Sequence, residues 1–198
     1  TVFSSIDEGG RYAYANQPSI AHWNLASLAE CLIPLLSDNR DEGLDLAKQS
    51  VAAFADRFNA AYIGGLRRKL GLSTAREGDA ELAQDLLDLM AANKADFTLT
   101  FRRLCDVVAG PEADATARAL FDDPAAFDRW AVRWRRRLDQ DPRDAASRQK
   151  EMRCANPAVI PRNHLVESAI DAAVTRQDFR RFHELVEVLS TPYEDRRE

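Results

Sequence analysis

From Pro18 almost to the C-terminus of this 198-residue chain, apolar residues recur three and four positions apart. That period builds one-sided helices, and no stretch competes as a buried strand. Ile20, Trp23, Leu25, Leu28, Leu32 and Leu35-Leu36 predict a first helix with an apolar surface wide enough to be buried on most sides. Pro18 suits its first turn, where no intrahelical N–H bond is lost. Residues 38–40 end it. A second helix is expected from Asp41 through Leu46, Val51, Phe54, Phe58 and Tyr62, broken or bent at Gly64-Gly65. A third, after the 73–79 loop, carries Leu82, Leu86, Leu87, Leu89 and Met90. The run Phe97, Phe101, Leu104, Cys105 and Val108 makes a fourth, ended by Gly110-Pro111.

Asp122-Asp123-Pro124 caps a helix bearing Phe127, Trp130, Trp134 and Leu138, and Asp141-Pro142 marks a turn near its end. A short polar helix leads to Asn156-Pro157, and two final helices follow Pro161 and Asp178. Residues 1–18 differ: turn chemistry over 4–10 and weak alternation after it predict an extended, loop-like lead-in. Residues 19–198 are expected to form one all-α domain. No repeat appears at the roughly 30–45-residue periods of α-solenoids.

A formal charge of −5, from 27 Lys+Arg against 32 Asp+Glu, disfavours a general nucleic-acid binder and a basic membrane-surface protein. No apolar run reaches the ~20 residues of a membrane span; the best candidate, 31–36, is interrupted by Pro34. Cys31, Cys105 and Cys154 lack zinc-ligand spacing and are expected to be reduced thiols in a cytoplasmic protein. The opening Thr1-Val2-Phe3 has neither a basic n-region nor a Met, so a longer parent polypeptide is expected.

Few residues suggest chemistry. In 129–137, arginines interleave with Trp130 and Trp134, a pattern able to stack bases. The same tryptophans continue a helical stripe, so a packed face flanked by arginines paired with Asp128, Asp139 or Asp141 is the favoured reading. His183-Glu184 lacks the second histidine of a metalloprotease helix. His164 and Glu167, one turn apart, are two ligands at most, and His22 has no partner, so no metal ligand is assigned. Gly9-Gly10 and Gly64-Gly65 stand outside any phosphate-loop pattern, and Ser4-Ser5 outside a nucleophile elbow. The sharpest polar cluster is 156–164, where Arg162 and Asn163 could hold an anion at a helix start or tie the loop to another segment; the tie is favoured.

Three stretches together resemble the selenoprotein O family. Residues 10–30 (GRYAYANQPSIAHWNLASLAE) are similar to its GRYAYxNQPxIxxWNLxxLAxxL signature, and 156–166 (NPAVIPRNHLV) to its NPxxIxRNxL segment. Ala95-Asp96-Phe97-Thr98, Phe101-Arg102 and Thr191-Pro192-Tyr193 follow in the expected order, so the resemblance covers essentially the whole chain.

The resemblance implies the C-terminal helical part of a protein-kinase-like fold, namely lower-lobe helices plus a C-terminal extension. It implies an enzyme that transfers AMP from ATP to Ser, Thr or Tyr hydroxyls of proteins, with ATP and Mg²⁺ as cofactors. In that family the phosphate-binding, catalytic and metal-binding residues precede the GRYAY stretch. No catalytic, nucleotide-binding or metal residue is therefore carried over, and this portion is expected to be inactive alone. Residues 1–18 would correspond to an activation segment, and the Trp23 helix to a buried lower-lobe helix. Arg11, Tyr12 and Tyr14 are the candidates for the substrate path, with loop packing as their competing role. The expected partners are the missing N-terminal catalytic lobe and protein substrates, with no nucleic acid and no membrane. The lack of a cysteine near Glu198 points to a bacterial, non-selenium member. A non-enzymatic helical interaction scaffold is the alternative, and a nucleic-acid binder acting through 129–137 a weaker one.

Overall fold

The computed structural model describes residue 7 and residues 9–108, 110 and 113–195. Most of the turn expected over 4–10, and Pro111 as a helix terminator, lie outside them. The described residues form a 3₁₀ turn (Tyr14–Asn16) and the helices α1 (Gln17–Leu36), α2 (Arg40–Ala52), α3 (Phe54–Lys69), α4 (Asp79–Ala92) and α5 (Phe97–Val107). There follow α6 (Asp114–Arg118), α7 (Pro124–Leu138), α8 (Ala145–Ala155), α9 (Asn163–Arg176) and α10 (Arg180–Ser190), with no strand among the described residues. The all-α expectation holds. The short α6 has no counterpart in the sequence reading, because five residues are too few to display a period.

The caps explain most boundaries. Asn39 accepts the N–H groups of Asp41 and Glu42 at the start of α2, Asp96 that of Leu99 in α5, Asp123 those of Ala125 and Ala126 in α7, and Asp144 that of Ser147 in α8. The break expected at Gly64-Gly65 instead falls at Ala53, and α3 runs through both glycines. The diglycine lacks side chains without losing any backbone hydrogen bond, so the helix continues at a propensity cost of about 1 kcal/mol per glycine.

Contacts divide the chain into two compact units, Thr1–Tyr62 and Ile63–Glu198, so the division lies inside α3 rather than at the expected 18/19 junction. In the first unit α1 packs on α2. Gly43 of α2 sits so close to α1 that a Cβ there would lie 2.8 Å from the Ile33 carbonyl oxygen. Residues 11–13 are turn and bend, consistent with the loop-like lead-in expected, but 14–18 are already 3₁₀ and α-helix rather than extended.

The burial expected for α1 is also not found: none of its 20 residues is buried, and Trp23 and Leu35 are 56% and 80% exposed. The cause is the small face offered by α2, whose buried positions are Gly43 and Ala47. A second correction concerns length. Pro34 lies within α1 without ending it, and the helical stretch Tyr14–Leu36 is long and apolar enough to cross a membrane by length and composition. The helix is no unbroken apolar run: it intersperses small polar residues and one full charge, Glu30.

The second unit holds the core. Phe127, Trp130, Trp134 and Leu138 of α7 are all buried, as their stripe predicts, together with Leu70, Leu86, Phe101, Leu104 and Met152. The two indole N–H groups donate to backbone oxygens at 2.9 Å, Trp130 to Leu82 and Trp134 to Leu70, so these rings are buried without an orphaned donor. Gly71 ends α3 with φ +73°, where a Cβ would lie 2.7 Å from the Met152 sulfur. At the far end α9 and α10 pack as a hairpin, closed by Gln177 at φ +51°.

Candidate functional site

The loop 9–16 is built around two backbone-binding side chains. The Asp7 carboxylate accepts the N–H groups of Arg11 and Tyr12 at 2.7 and 2.8 Å. Asn16 Nδ2 donates to the Gly10 carbonyl at 2.8 Å, and Gly10 adopts φ +65°, which its missing Cβ allows. Both oxygens of Asp7 are occupied by backbone donors, so the carboxylate shapes the loop.

This loop carries the three candidate residues. The Arg11 guanidinium lies 4.8 Å from the centre of the Trp23 ring and 5.8 Å from that of Tyr12, a cation–π stack on the start of α1. Tyr12 and Tyr14 are about half exposed. Tyr14 is hydrogen-bonded to Tyr62, whose phenol is pushed up by burial first and by Tyr14 second. The loop thus offers an exposed cation and two phenols on a fixed backbone. Among the described residues no base stands beside a nucleophile in this loop.

The other polar stretch, 156–164, is a structural junction. Asn156 is fully buried; its Nδ2 donates to the Lys69 carbonyl at 2.9 Å and its Oδ1 accepts from Lys69 Nζ at 3.2 Å. Arg102 reaches the same junction, donating to the Asn156 carbonyl at 2.9 Å and pairing with Asp195 at 2.6 Å. Burial lowers the Lys69 ammonium and raises the Cys105 thiol, which keeps that thiol protonated. Arg162 forms a two-pronged pair with Asp96 at 2.7 and 3.2 Å. Of the two roles open to it, tying the loop is the one observed.

Of the α7 arginines, Arg129, Arg133 and Arg136 face outward, Arg135 is half-buried and Arg137 is buried, and the partners differ from those expected. Arg129 pairs with Asp123, Arg133 with Asp85, Arg135 with Asp114 and Arg137 with Asp79. Asp128 is taken by Arg118, and Asp141 by Arg148 and Ser73. Partners from other helices cannot be read from spacing along one helix. For the same reason spacing does not reveal Asp79 as a buried hub, and it assigns Asp141, expected to pair with an α7 arginine, the wrong partner; both side chains are fully buried.

His22 stacks on Phe54 at 5.5 Å, while His164, Glu167, His183 and Glu184 lie exposed on α9 and α10. Among the described residues no three His, Cys, Asp or Glu side chains converge as metal ligands. Cys31, Cys105 and Cys154 are free thiols.

The family model for protein adenylyltransferase SelO matches residues 2–190. The protein nucleotidyltransferase YdiU of Rhodopseudomonas palustris (strain BisB5) is 58% identical over 198 residues, covering 100% of this chain and 40% of the relative. Its namesake in Bradyrhizobium diazoefficiens is 58% identical over 194 residues, covering 98% and 39%. That of Methylorubrum extorquens (strain PA1) is 57% identical over 201 residues, covering 98% and 40%. The chain therefore spans about 40% of the length of the curated relatives it matches. With a family model over nearly its whole length and relatives well above half identity, the chain belongs to the protein adenylyltransferase SelO family.

Proposed function

We propose that this chain is a C-terminal helical part of a cytoplasmic protein adenylyltransferase with a kinase-like fold. In the reaction a Ser, Thr or Tyr oxygen attacks the α-phosphorus of ATP, the bond to the β-phosphate breaks, and pyrophosphate leaves. ATP and Mg²⁺ are held by polypeptide outside these 198 residues, and the chain alone is inactive. Its own contribution is support for the catalytic lobe, with Arg11, Tyr12 and Tyr14 beside the path of the protein substrate.

The observation that carries this reading is α1. A 20-residue helix with no buried residue, presenting Trp23, Leu28 and Leu35, is the face of a larger core whose other side lies elsewhere. The 40% coverage of the relatives leaves ample polypeptide to supply it. Incubation of the full-length protein with ATP labelled at the α-phosphate tests the reading. Label entering protein from the α- but not the γ-position is expected; γ-label transfer contradicts it.

The apolar groove between α9 and α10, about 400 Å³ and lined by Ile170, Phe179, Phe182 and Val186, favours a second reading as a non-enzymatic interaction scaffold. Absence of label from either position would select that one.

A further inference from the structure

A cleft of about 660 Å³ opens between the end of α3, the 71–73 turn and α8. Three basic side chains line it, Arg68, Arg143 and Lys150, against one acid, Glu151. Glu151 is already paired with Arg143. Among the described residues, Arg68 and Lys150 have no such partner. The hydroxyl of Ser73 is committed to Asp141, and Ser147 is bonded to Asp144. The cleft therefore concentrates two uncompensated cations in a chain of net charge −5.

Its remaining wall is apolar. Leu72 and Ala155 line it, and the floor passes Gly71, whose φ of +73° and missing Cβ keep Met152 and Arg148 packed directly beneath. The Arg68 guanidinium lies back along α3 over Gly64 and Gly65, where added Cβ atoms would be 3.8 and 3.9 Å from its nitrogens. The two glycines leave that face of the helix open to it.

We propose that this cleft binds a small phosphate monoester, its dianionic phosphate on Arg68 and Lys150 and its organic body against Leu72 and Ala155. Two charges call for a dianion. The volume is far more than inorganic phosphate needs and lies in the range of small-molecule sites. Among the described residues the cleft is lined by one acid, Glu151, so the proposed contacts to phosphate are made by side chains and call for no metal. Exposed cations give modest affinity, with Kd on the order of 1 mM. The inference is separate from the proposed adenylyl transfer.

AMP, adenosine and inorganic phosphate, each titrated at constant ionic strength into the ¹⁵N-labelled chain, test it. Amide shifts centred on Gly71, Ser147 and Cys154 are expected with AMP, weaker ones with phosphate, and none with adenosine. AMP should slow alkylation of the exposed Cys154 while leaving the exposed Cys31 unaffected. The double variant Arg68→Ala/Lys150→Ala should lose these effects at least tenfold with the rest of the spectrum unchanged, whereas Lys48→Ala retains them. Equal shifts with adenosine, retention in the double variant, or no shift at about 10 mM AMP would overturn the proposal. Because neither magnesium nor ATP enters the assay, failure here is distinct from failure of the labelling experiment.

Discussion

Arg137 and Asp79 form a buried ion pair: Nε of Arg137 donates to Oδ1 of Asp79 at 2.6 Å, and their side chains are 9% and 0% exposed. Asp79 also accepts from Arg67 Nε at 2.8 Å and from the Arg76 N–H at 2.9 Å. Burial raises the carboxyl, but Arg137, Arg76 and Arg67 together hold it below the usual range. The network joins the start of α4 to α7 and the end of α3.

Removing one member leaves a charge in a dry site. Arg137→Met should destabilise the second unit by about 3 kcal/mol, the low end for a broken buried pair because Arg67 remains. Urea unfolding followed by tryptophan fluorescence measures this, since Trp130 and Trp134 lie in that core. A loss under about 1 kcal/mol would show that the pair contributes little.

Asp141 makes stability depend on acidity. Burial pushes its carboxyl up, but the Ser73 hydroxyl and the N–H groups of Ser73, Arg143 and Thr74 outweigh this and hold it at about 2. A depressed folded value means that the stabilisation is fully present above the unfolded value of about 3.9 and is lost as pH falls toward 2. The amount is on the order of 2 kcal/mol. Unfolding free energies measured from pH 5 to 2 should fall, and Asp141→Asn should flatten that slope. An unchanged slope in Asp141→Asn would remove Asp141 as its source.

Asp96 has two tasks, capping α5 through Leu99 and pairing with Arg162. The pair is about a third exposed, so Arg162→Ala should cost no more than about 1 kcal/mol after solvent screening. Asp96→Ala loses the cap as well and should cost about 1–2 kcal/mol. Thermal unfolding of both variants checks the order, which the reverse ranking would contradict.

Two glycines of the same region should respond oppositely to alanine. Gly71→Ala forces a Cβ into Met152 and Arg148 at positive φ and should cost more than about 2 kcal/mol. Gly64→Ala adds a methyl in ordinary contact within a helix and should stabilise by about 0.5–1 kcal/mol. Chemical denaturation of the two variants decides the signs.

Legibility followed range. The α7 stripe and the Asp123 cap were visible because each depends on residues within a turn or two of one another. What crosses the chain was not visible: the Asp79 partners lie 12 and 58 residues away, and the basic cleft joins 68 to 150. The break at Ala53 was missed because glycine marks where a helix can bend, not where it must. Burial of α1 was expected from its apolar surface, but burial also needs a facing surface, and α2 offers few side chains. The Arg11, Tyr12 and Tyr14 loop was singled out by its resemblance to the family signature, whereas Asp7, which shapes it, lies outside the quoted pattern.

Calorimetric titration of ATP with magnesium into the 198-residue chain tests most directly whether its phosphate-handling groups lie on other polypeptide. No magnesium-dependent binding at micromolar concentrations is expected. A magnesium-dependent Kd in the micromolar range would contradict the proposal and place a nucleotide site within these helices.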